Sequence, residues 1–365
     1  MTSEADRRFM ALAVALGARG LGGVWPNPAV GCVIVCKNRI VGRGWTQEGG
    51  RPHAETIALA QAGEAARGST VYVSLEPCAH QGVTPPCAGS LIAAGVARVV
   101  TAIEDPDPRV QGKGHAMLRA AGIRVDTGVL ADKAEDAQRG FLSRIRRGRP
   151  MVTLKLAVSF DGRIATASGE SQWITSPEAR RRTHTMRATH DAVLIGAGTA
   201  RADDPMLTVR GLGEGRQPVR IVAARNLDLP RKGALARSAR KVPLWLLHGQ
   251  GAPADIAQEW ADLGANLLPI EERGGLLDPQ AMLAALGQAG LTRIFCEGGS
   301  KLAATLLAAD LVDELAIFTA GIALGADGLA ALGVLPALPL AETPRFDLCD
   351  LQHIGPDTFS LWSRH

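Results

Sequence analysis

Apolar residues recur along the chain with two spacings. In some segments they occur every three to four residues, which is typical of helices that bury one face, and in others every second residue or continuously, which is typical of strands. In residues 1–148 they predict, in order, a helix over 6–17, strands over 29–35 and 39–44, a helix over 53–61, a strand over 70–74, a helix over 87–94, a strand over 98–102, a helix over 113–121 and a strand over 124–127. This order predicts an α/β layer structure around a central sheet.

The second half alternates in the same way. It predicts strands over 152–158, 192–195, 219–223, 244–247, 293–296 and 314–318, and helices over 177–189, 253–263, 279–289 and 300–308. Strands separated by helices indicate a largely parallel sheet, which binds ligands at the carboxyl ends of its strands.

Between the halves, residues 139–150 (RGFLSRIRRGRP) are dense in arginine and end just before a new strand. We place a domain boundary there, which gives domains of residues 1–148 and 149–365. The arginines are interpreted as the solvated face of a connecting helix, because most charge runs are no more than that.

The composition narrows the class of protein. Of 365 residues, 46% are hydrophobic and 21% charged, which is typical of a folded chain. A net charge of +4, with seven Phe, six Trp and one Tyr, is a poor basis for nucleic-acid binding. No apolar run reaches about 18 residues, and the start lacks the apolar core of a signal peptide. We therefore expect a cytoplasmic protein without a membrane partner, whose six cysteines are thiols or metal ligands.

One cluster of residue types points to chemistry. His53 and Glu55, in the sequence HAE, are followed by Cys78 and Cys87. The histidine and the two cysteines supply three zinc ligands, which leaves one position for a water whose pKa zinc lowers to about 7. Glu55 is expected to take a proton from that water and deliver it to departing ammonia. The pattern predicts a zinc-dependent hydrolytic deaminase with one catalytic zinc ion per chain.

The spacing of the cysteines departs from the general deaminase signature, which has P-C-x-x-C. Here eight residues separate Cys78 from Cys87. A non-catalytic zinc clip is the alternative, although clips usually have four protein ligands. His80, inside the spacer, is the candidate fourth ligand, and its binding would close the water position.

The segments HAETIALAQAG, YVSLEPCAHQGVTPPCAGSLIAAGVARVV and EDPDPRVQGKG closely resemble the deaminase domain of the bifunctional riboflavin-biosynthesis deaminase–reductase family. In that family a long spacer ending in TPPC is the normal form. The segments LKLAVSFDGRIATASGESQWITSPEARRRTHTMRA, ADDPMLTVR and FCEGGSKLAATLLAADLVDEL are similar to its reductase half. The resemblance thus covers nearly the whole chain, in the order deaminase then reductase.

The resemblance implies a cytidine-deaminase-like α/β/α domain followed by a dihydrofolate-reductase-like α/β domain. The first would remove, with zinc, the amino group of 2,5-diamino-6-ribosylamino-4(3H)-pyrimidinone 5′-phosphate. The second would use NADPH to reduce the ribosyl group of 5-amino-6-(5-phosphoribosylamino)uracil to ribityl. The binding partner is then a small phosphorylated pyrimidine. We also expect a homo-oligomer, because such assemblies are common.

By the same resemblance, Asn27 would lie at the floor of the deaminase pocket. NADP contacts are implied for Ala157, Trp173, Thr199, Asp203, Gly299, Ser300, Lys301, Leu302, Ala303, Ala304 and Thr305. Substrate contacts are implied for Ser171, Arg187, Leu207, Arg210 and Glu297. The two arginines are suited to grip the sugar phosphate, since a guanidinium pairs bidentately with phosphate. The neighbouring Arg180, Arg181 and Arg182 are interpreted as a solvated helix face.

Without the resemblance, the second half offers two glycine-rich turns after strands, at 196–199 and 297–301, as phosphate sites. A simple helix cap is the alternative for the second. Arg225 stands where the family commonly has a serine that touches the cofactor. Pairing with the 2′-phosphate of NADP and a changed cofactor preference are both open for it.

Two rival functions are compatible with a deaminase motif. One is a nucleic-acid editing deaminase with a C-terminal binding domain, which the weak charge and scarce aromatics count against. The other is a chain in which one half survives only as a binding or scaffold domain. The complete zinc set with Glu55 argues against the latter for the first half alone.

Overall fold

The computed structural model describes residues 3–80, 85–213 and 215–364. The chain forms two compact units, an N-terminal unit, Met1–Gly148, and a C-terminal unit, Arg149–His365. Each unit has its own sheet with helices packed on it, so the α/β fold class is confirmed. Among the described residues, no helix is both long and apolar enough to span a membrane.

Every element predicted for the N-terminal unit forms, within two residues of the expected bounds. A further long helix, α5, contains most of the arginine-rich segment. In chain order the elements are α1 (Glu4–Gly17), β1 (Gly31–Cys36), β2 (Arg39–Trp45), α2 (Ala54–Ala62), β3 (Thr70–Val73), α3 (Cys87–Ala93), β4 (Arg98–Thr101), α4 (Lys113–Ala120), β5 (Arg124–Asp126) and α5 (Ala131–Arg147), with short 3-10 turns at Ala18–Gly20, Glu48–Gly50 and Gly63–Ala66.

The N-terminal sheet has the order β2-β1-β3-β4-β5. β1 is antiparallel to β2 and β3, while β3, β4 and β5 run parallel. Strand residues such as Val33, Val71 and Val99 are fully buried, because helices cover both faces. The parallel strands β3 and β4 end at the same edge of the sheet, and the chain that leaves β3 there carries Cys78.

The C-terminal unit contains all ten predicted elements, again within two residues. In chain order its elements are β6 (Met151–Ser159), β7 (Arg163–Ala165), α6 (Pro177–Ala188), β8 (Ala192–Gly196), α7 (Ala197–Asp203), β9 (Val219–Ala223), α8 (Ala234–Ser238), β10 (Leu244–Gly249), α9 (Ala254–Asp262), β11 (Asn266–Ile270), β12 (Glu272–Arg273), β13 (Leu276–Leu277), α10 (Pro279–Gln288), β14 (Arg293–Gly298), α11 (Ser300–Ala308), β15 (Glu314–Ala320), β16 (Leu329–Ala330), β17 (Asp347–Ile354) and β18 (Asp357–Ser363), with a 3-10 turn at Leu340–Glu342.

The main C-terminal sheet has nine strands in the order β11-β10-β9-β8-β14-β6-β15-β18-β17. The first seven run parallel, whereas β18 and β17 form an antiparallel hairpin at the edge. The sequence pattern did not predict that hairpin. β17 carries Leu348 and Leu351 exposed among polar residues, so it lacks the apolar run that marks the central strands.

A buried charge network fixes α1 to the N-terminal sheet. Asp6 is 3% exposed and accepts hydrogen bonds from the Arg98 guanidinium at 2.8 and 3.1 Å and from the Tyr72 hydroxyl at 2.8 Å. It also completes the capping box of α1 with Ser3. Arg98 contacts Asp126 as well, at 2.6 Å. The bond from Arg98 holds the pKa of the Asp6 carboxyl well below its ordinary value.

We expect Asp6→Asn to lower the free energy of unfolding by about 3 kcal/mol near pH 7, because it breaks a buried ion pair. Since the folded-state pKa is lowered, the contribution of this carboxylate is complete above its unfolded-state pKa of about 3.9 and is lost as the pH falls below that value. The difference in free energy of unfolding between the wild type and Asp6→Asn should therefore become smaller in acid. Urea unfolding followed by circular dichroism, at pH 7 and at pH values below about 3.9, measures both effects.

The matched control is Asp136→Asn on α5, whose carboxylate is exposed and pairs with Arg139 at 3.5 Å. This variant should change stability by no more than about 0.5 kcal/mol. An Asp6→Asn protein as stable as this control at pH 7 would contradict the role given to the network.

Candidate active sites

The predicted zinc ligands converge in the N-terminal unit. His53 is the N-cap residue of α2, and Cys87 is the first residue of α3. Cys78 lies in the segment that follows β3. The Nδ1 atom of His53 is 3.7 Å from Cys78 Sγ and 3.3 Å from Cys87 Sγ. Three elements distant in sequence therefore bring one nitrogen and two sulfur atoms together.

The geometry of this group fits a zinc ion. Zinc binds nitrogen at about 2.0–2.1 Å and sulfur at about 2.3 Å, so a tetrahedral site sets such ligand atoms about 3.5–3.8 Å apart. The observed separations lie close to that range. His80 is among the described residues and is not part of the group. The structure therefore gives no support to His80 as the fourth ligand of a non-catalytic zinc clip. Spacer residues 81–84 lie outside the described residues.

The site favours a thiolate at Cys78. Its sulfur accepts hydrogen bonds from the Cys87 thiol and from the Cys87 backbone N–H, the latter at 3.2 Å, and it faces His53. These contacts outweigh partial burial and lower the pKa of Cys78 to about 4. A deprotonated thiol is the form that ligates zinc.

Glu55 lies in the first turn of α2 and is 3% exposed. Burial raises the pKa of its carboxyl, and the negative charge of Cys78 raises it further. The Cys87 thiol also faces this carboxylate, and its single proton serves either Cys78 or Glu55. A buried carboxyl with a raised pKa, next to His53 and Cys78, has the properties required of the acid–base group that the sequence predicts.

Asn27 is placed by the loop that leads into His53. The Nδ2 atom of Asn27 lies only 1.9 Å from where a Cβ on Gly50 would stand, and Gly50 has a φ of 83°. Only glycine tolerates both the backbone conformation and the close amide. The half-buried Asn27 side chain therefore packs against Gly50, which lies three residues before His53 in the sequence.

In the C-terminal unit, Glu297 and Arg187 form a bidentate ion pair. Glu297 lies near the end of β14 and Arg187 on α6, with Nε–Oε1 and Nη2–Oε2 distances of 2.5 and 2.9 Å. Burial opposes ionisation of Glu297, but the charge and hydrogen bonds of Arg187 outweigh it and lower the pKa of the carboxyl. Two nitrogens of the guanidinium fork, Nε and Nη2, are therefore engaged by protein rather than open to a phosphate.

The remaining guanidinium nitrogen of Arg187 reaches the loop that carries Leu207. Its Nη1 donates to the Thr208 carbonyl at 2.8 Å. Leu207 is 4% exposed and has a φ of 54°, an unfavourable left-handed conformation for a leucine. His184 Nδ1 lies 3.3 Å from the Arg210 backbone nitrogen. α6 thus holds the loop in shape, while the Arg210 side chain is exposed.

Two charged residues complete the surroundings of Glu297. Lys155, on the adjacent strand β6, was not singled out from the sequence. Burial lowers the pKa of this lysine, and Glu297 and Asp203 act against that shift. Burial likewise raises the pKa of Asp203, while Lys155 lowers it. A charged residue in an otherwise apolar strand, LKLAV, is the sequence signal that could have identified Lys155.

The glycine-rich turn before α11 meets the start of α7. The Thr199 hydroxyl donates to the Gly298 carbonyl at 3.3 Å, and a Cβ on Gly299, with a φ of 94°, would stand 2.8 Å from Thr199 Oγ1. The first backbone N–H groups of α11 have no partner within the helix. From Ala303 onward the N–H groups bond inside it, and Ala303 and Ala304 face the core.

The other predicted cofactor and substrate residues are less clustered. Trp173 is 67% exposed, and the Arg180 guanidinium lies 4.4 Å from its ring centre. Ser171 lies two residues before it, and Ala157 is half-buried on β6. The solvated-face interpretation is wrong for Arg180 and Arg182, since Arg182 is half-buried against Phe359.

Arg225 has partners of its own. Its Nη1 donates to the Gly275 carbonyl at 2.6 Å and lies 3.5 Å from Glu272. The guanidinium is thus tied to the β12–β13 hairpin, and a contact with a phosphate would have to share or replace these bonds.

Two family models match the chain. The cytidine and deoxycytidylate deaminase zinc-binding region matches residues 3–103, and the RibD C-terminal domain matches residues 150–360. Zinc and a reductase cofactor are thereby implied in general terms.

Individual relatives match over nearly the full length. The riboflavin biosynthesis protein RibD of Escherichia coli K12 is 45% identical over 359 residues, which are 96% of this chain and 97% of that protein. The structure of RibD from Acinetobacter baumannii (form 1) aligns with a TM-score of 0.89 at 38% identity, covering 99% of both chains. A diaminohydroxyphosphoribosylaminopyrimidine deaminase/5-amino-6-(5-phosphoribosylamino)uracil reductase from Thermotoga maritima aligns with a TM-score of 0.87 at 31% identity over 99% of both. With both halves matched in this order, the chain belongs to the RibD family of riboflavin biosynthesis proteins.

Proposed function

We propose that this chain carries out two successive steps of riboflavin biosynthesis in two separate sites. The N-terminal unit removes the amino group of the diaminopyrimidine ribosylamino phosphate, and the C-terminal unit reduces the ribosyl group of the resulting aminouracil with NADPH. The observation that carries the proposal is the ligand group His53, Cys78 and Cys87 with the buried carboxyl of Glu55 beside it. The full-length match to RibD proteins supports the pairing of the two activities.

For the deamination, we assign the metal site to His53, Cys78 and Cys87. Bound there, zinc supplies an acidified water at neutral pH. Glu55 accepts the proton of the attacking water and donates it to the leaving ammonia, since it is buried next to the ligands. Asn27, fixed against Gly50, is suited to hydrogen-bond an edge of the pyrimidine ring.

For the reduction, we assign NADPH to the region where α7 meets the turn before α11, beside strands β14 and β6. NADPH supplies the hydride. Thr199, Gly299 and the free N–H groups of Ser300, Lys301 and Leu302 suit a phosphate of the cofactor. The residues Ala157, Trp173, Asp203, Ala303, Ala304 and Thr305 remain cofactor contacts by family resemblance, with Ala303 and Ala304 limited to lining the helix behind it.

On the substrate side, Glu297 and Ser171 are suited to bind hydroxyl groups, and Leu207 to line the pocket. The contacts of Arg187 with Glu297 and Thr208 make it a residue that holds the pocket in shape. Arg210, with its exposed guanidinium, is the better candidate for the sugar phosphate. Lys155, half-buried on β6, adds a positive charge that interacts with Glu297.

The rival function, editing of nucleic acids, is less well supported. The relatives that match this chain over its whole length are named for riboflavin biosynthesis, and the C-terminal unit matches a RibD model rather than a nucleic-acid-binding one. A small phosphorylated pyrimidine is therefore the proposed partner.

Glu55→Gln should reduce ammonia release from the diaminopyrimidine by about 10²–10⁴-fold, since it removes the proton-transfer group. Zinc content and NADPH oxidation on the aminouracil substrate should stay at wild-type levels. The two assays are run separately on purified full-length protein. Undiminished ammonia release would refute the assignment of Glu55.

Cys87→Ser should abolish retention of catalytic zinc after dialysis against a chelator, because it removes one of three ligands. Cys36→Ser is the matched control, since Cys36 ends β1 in the same unit and lies outside the ligand group. Metal content is measured by mass spectrometry and compared with ammonia release. If Cys87→Ser kept its zinc as Cys36→Ser does, the ligand assignment would be wrong.

In the reductase assay, Arg210→Ala should raise KM for the aminouracil phosphate at least about tenfold with little change in kcat, because it removes a charged hydrogen bond to the phosphate. Arg187→Ala should lower kcat as well, because Glu297 and the Leu207 loop lose their support. Arg181→Ala, exposed on the same helix α6, is the control. Equal losses of Arg210→Ala in both the deaminase and reductase assays would contradict its assignment.

A further inference from the structure

A second group of metal-ligating side chains lies in the N-terminal unit, apart from the cysteine site. It consists of Glu76, Glu104 and His115, whose ligand atoms all lie within 4.8 Å of one another. We propose that these three residues form a second divalent-cation site, which takes a zinc-like ion and ties the segment between β4 and α4 to the end of β3.

Glu76 is a fixed, fully buried carboxylate. Its Oε2 accepts the N–H groups of Gly112 and Asp105 at 2.9 and 3.3 Å, and its Oε1 accepts the N–H of His115 at 3.1 Å. The side chain itself is 0% exposed. Each carboxylate oxygen has two acceptor directions, so these bonds hold the group in place and leave capacity for an ion.

His115 supplies a nitrogen without a hydrogen-bond partner of normal length. The residue is 2% exposed, and its Nε2 lies 2.9 Å from Thr101 Oγ1. Its Nδ1 lies 3.8 Å from Glu76 Oε1, which is too far for a hydrogen bond. Burial lowers the pKa of His115, so the imidazole is neutral at pH 7. The tautomer that donates Nε2–H to Thr101 has its lone pair on Nδ1, facing Glu76, and this is the form that would bind an ion.

An open cleft of ≈ 400 Å³ gives access to this group. Glu104 is exposed and, with His115, lines the cleft, whose other charged residues are Arg119, Glu135 and Arg146. Arg146 pairs with Glu135 at 3.7 Å, so that arginine is occupied on the opposite rim. An ion in this cleft would therefore meet two of the three proposed ligands, Glu104 and His115, directly.

The donor set selects the class of ion. One imidazole nitrogen and two carboxylate oxygens suit zinc and its divalent transition-metal neighbours, whereas magnesium and calcium prefer all-oxygen sites. Two negative charges with a neutral imidazole also match a dication better than any anion.

Binding here has a structural consequence. Glu76 is two residues before Cys78, and its backbone partners lie at both ends of the segment 105–112. An ion held by Glu76, Glu104 and His115 would therefore cross-link that segment to the end of β3, and should stabilise the folded N-terminal unit.

The test is a calorimetric titration of full-length protein, already loaded with one zinc per chain, with further ZnCl₂. The wild type should bind a second equivalent and show a rise in Tm of at least about 3 °C at saturation. Glu104→Gln, at an exposed position that folding does not depend on, should weaken the second binding at least tenfold and abolish the rise. His115→Leu should have the same two effects. Cys87→Ser, which is expected to lose the zinc of the cysteine site, should still bind one equivalent at the second site.

Glu135→Gln is the matched control, because it changes a carboxylate of the same cleft outside the ligand group. It should bind the second ion as the wild type does. Failure of the wild type to bind a second equivalent would overturn the proposal. So would a second equivalent that Glu104→Gln binds equally well, because the ion would then be held elsewhere.

Discussion

A carboxylate buried at the carboxyl end of a parallel strand is costly unless its oxygens are satisfied, and both units are organised around such a group. In the N-terminal unit Glu76 is satisfied by three backbone N–H groups of the segment after β4. In the C-terminal unit Glu297 is satisfied by the Arg187 guanidinium. Each carboxylate thereby determines the shape of the loop that borders the adjacent site.

The two kinds of hydrogen-bond partner suit different roles of the carboxylates. Backbone N–H groups fix Glu76 as a scaffold, so that Pro77 and Cys78 leave β3 in a defined direction toward His53 and Cys87. An arginine keeps Glu297 ionised and at the same time reaches the Thr208 carbonyl, which connects it to the strained Leu207 loop. Strain of this kind persists only where the surroundings determine it, and it is concentrated at functional sites.

The predicted zinc ligands illustrate how the sheet order brings distant residues together. His53 and Cys87 begin helices, whose amino termini carry positive partial charge, and Cys78 follows the strand between them. The positions are 25 and 34 residues from His53 along the chain, yet the shared edge of β3 and β4 brings them within bonding range of one ion. The contact between the two thiols lowers the pKa of Cys78 and raises that of Cys87, so it favours a thiolate at Cys78.

The α/β class and the nineteen predicted elements follow from the chain's local spacing of apolar residues. The fixed spacing of His53, Glu55, Cys78 and Cys87 is enough to predict a zinc site with an acid–base residue beside it. The sequence did not reveal the β17–β18 hairpin, whose exposed edge strand has mixed polarity. It also did not reveal that Arg187 is engaged by Glu297, that Lys155 interacts with both, or that His115 faces Glu76. Those facts depend on which residues of distant elements meet and on how far water is excluded from them, and neither is set by the local sequence.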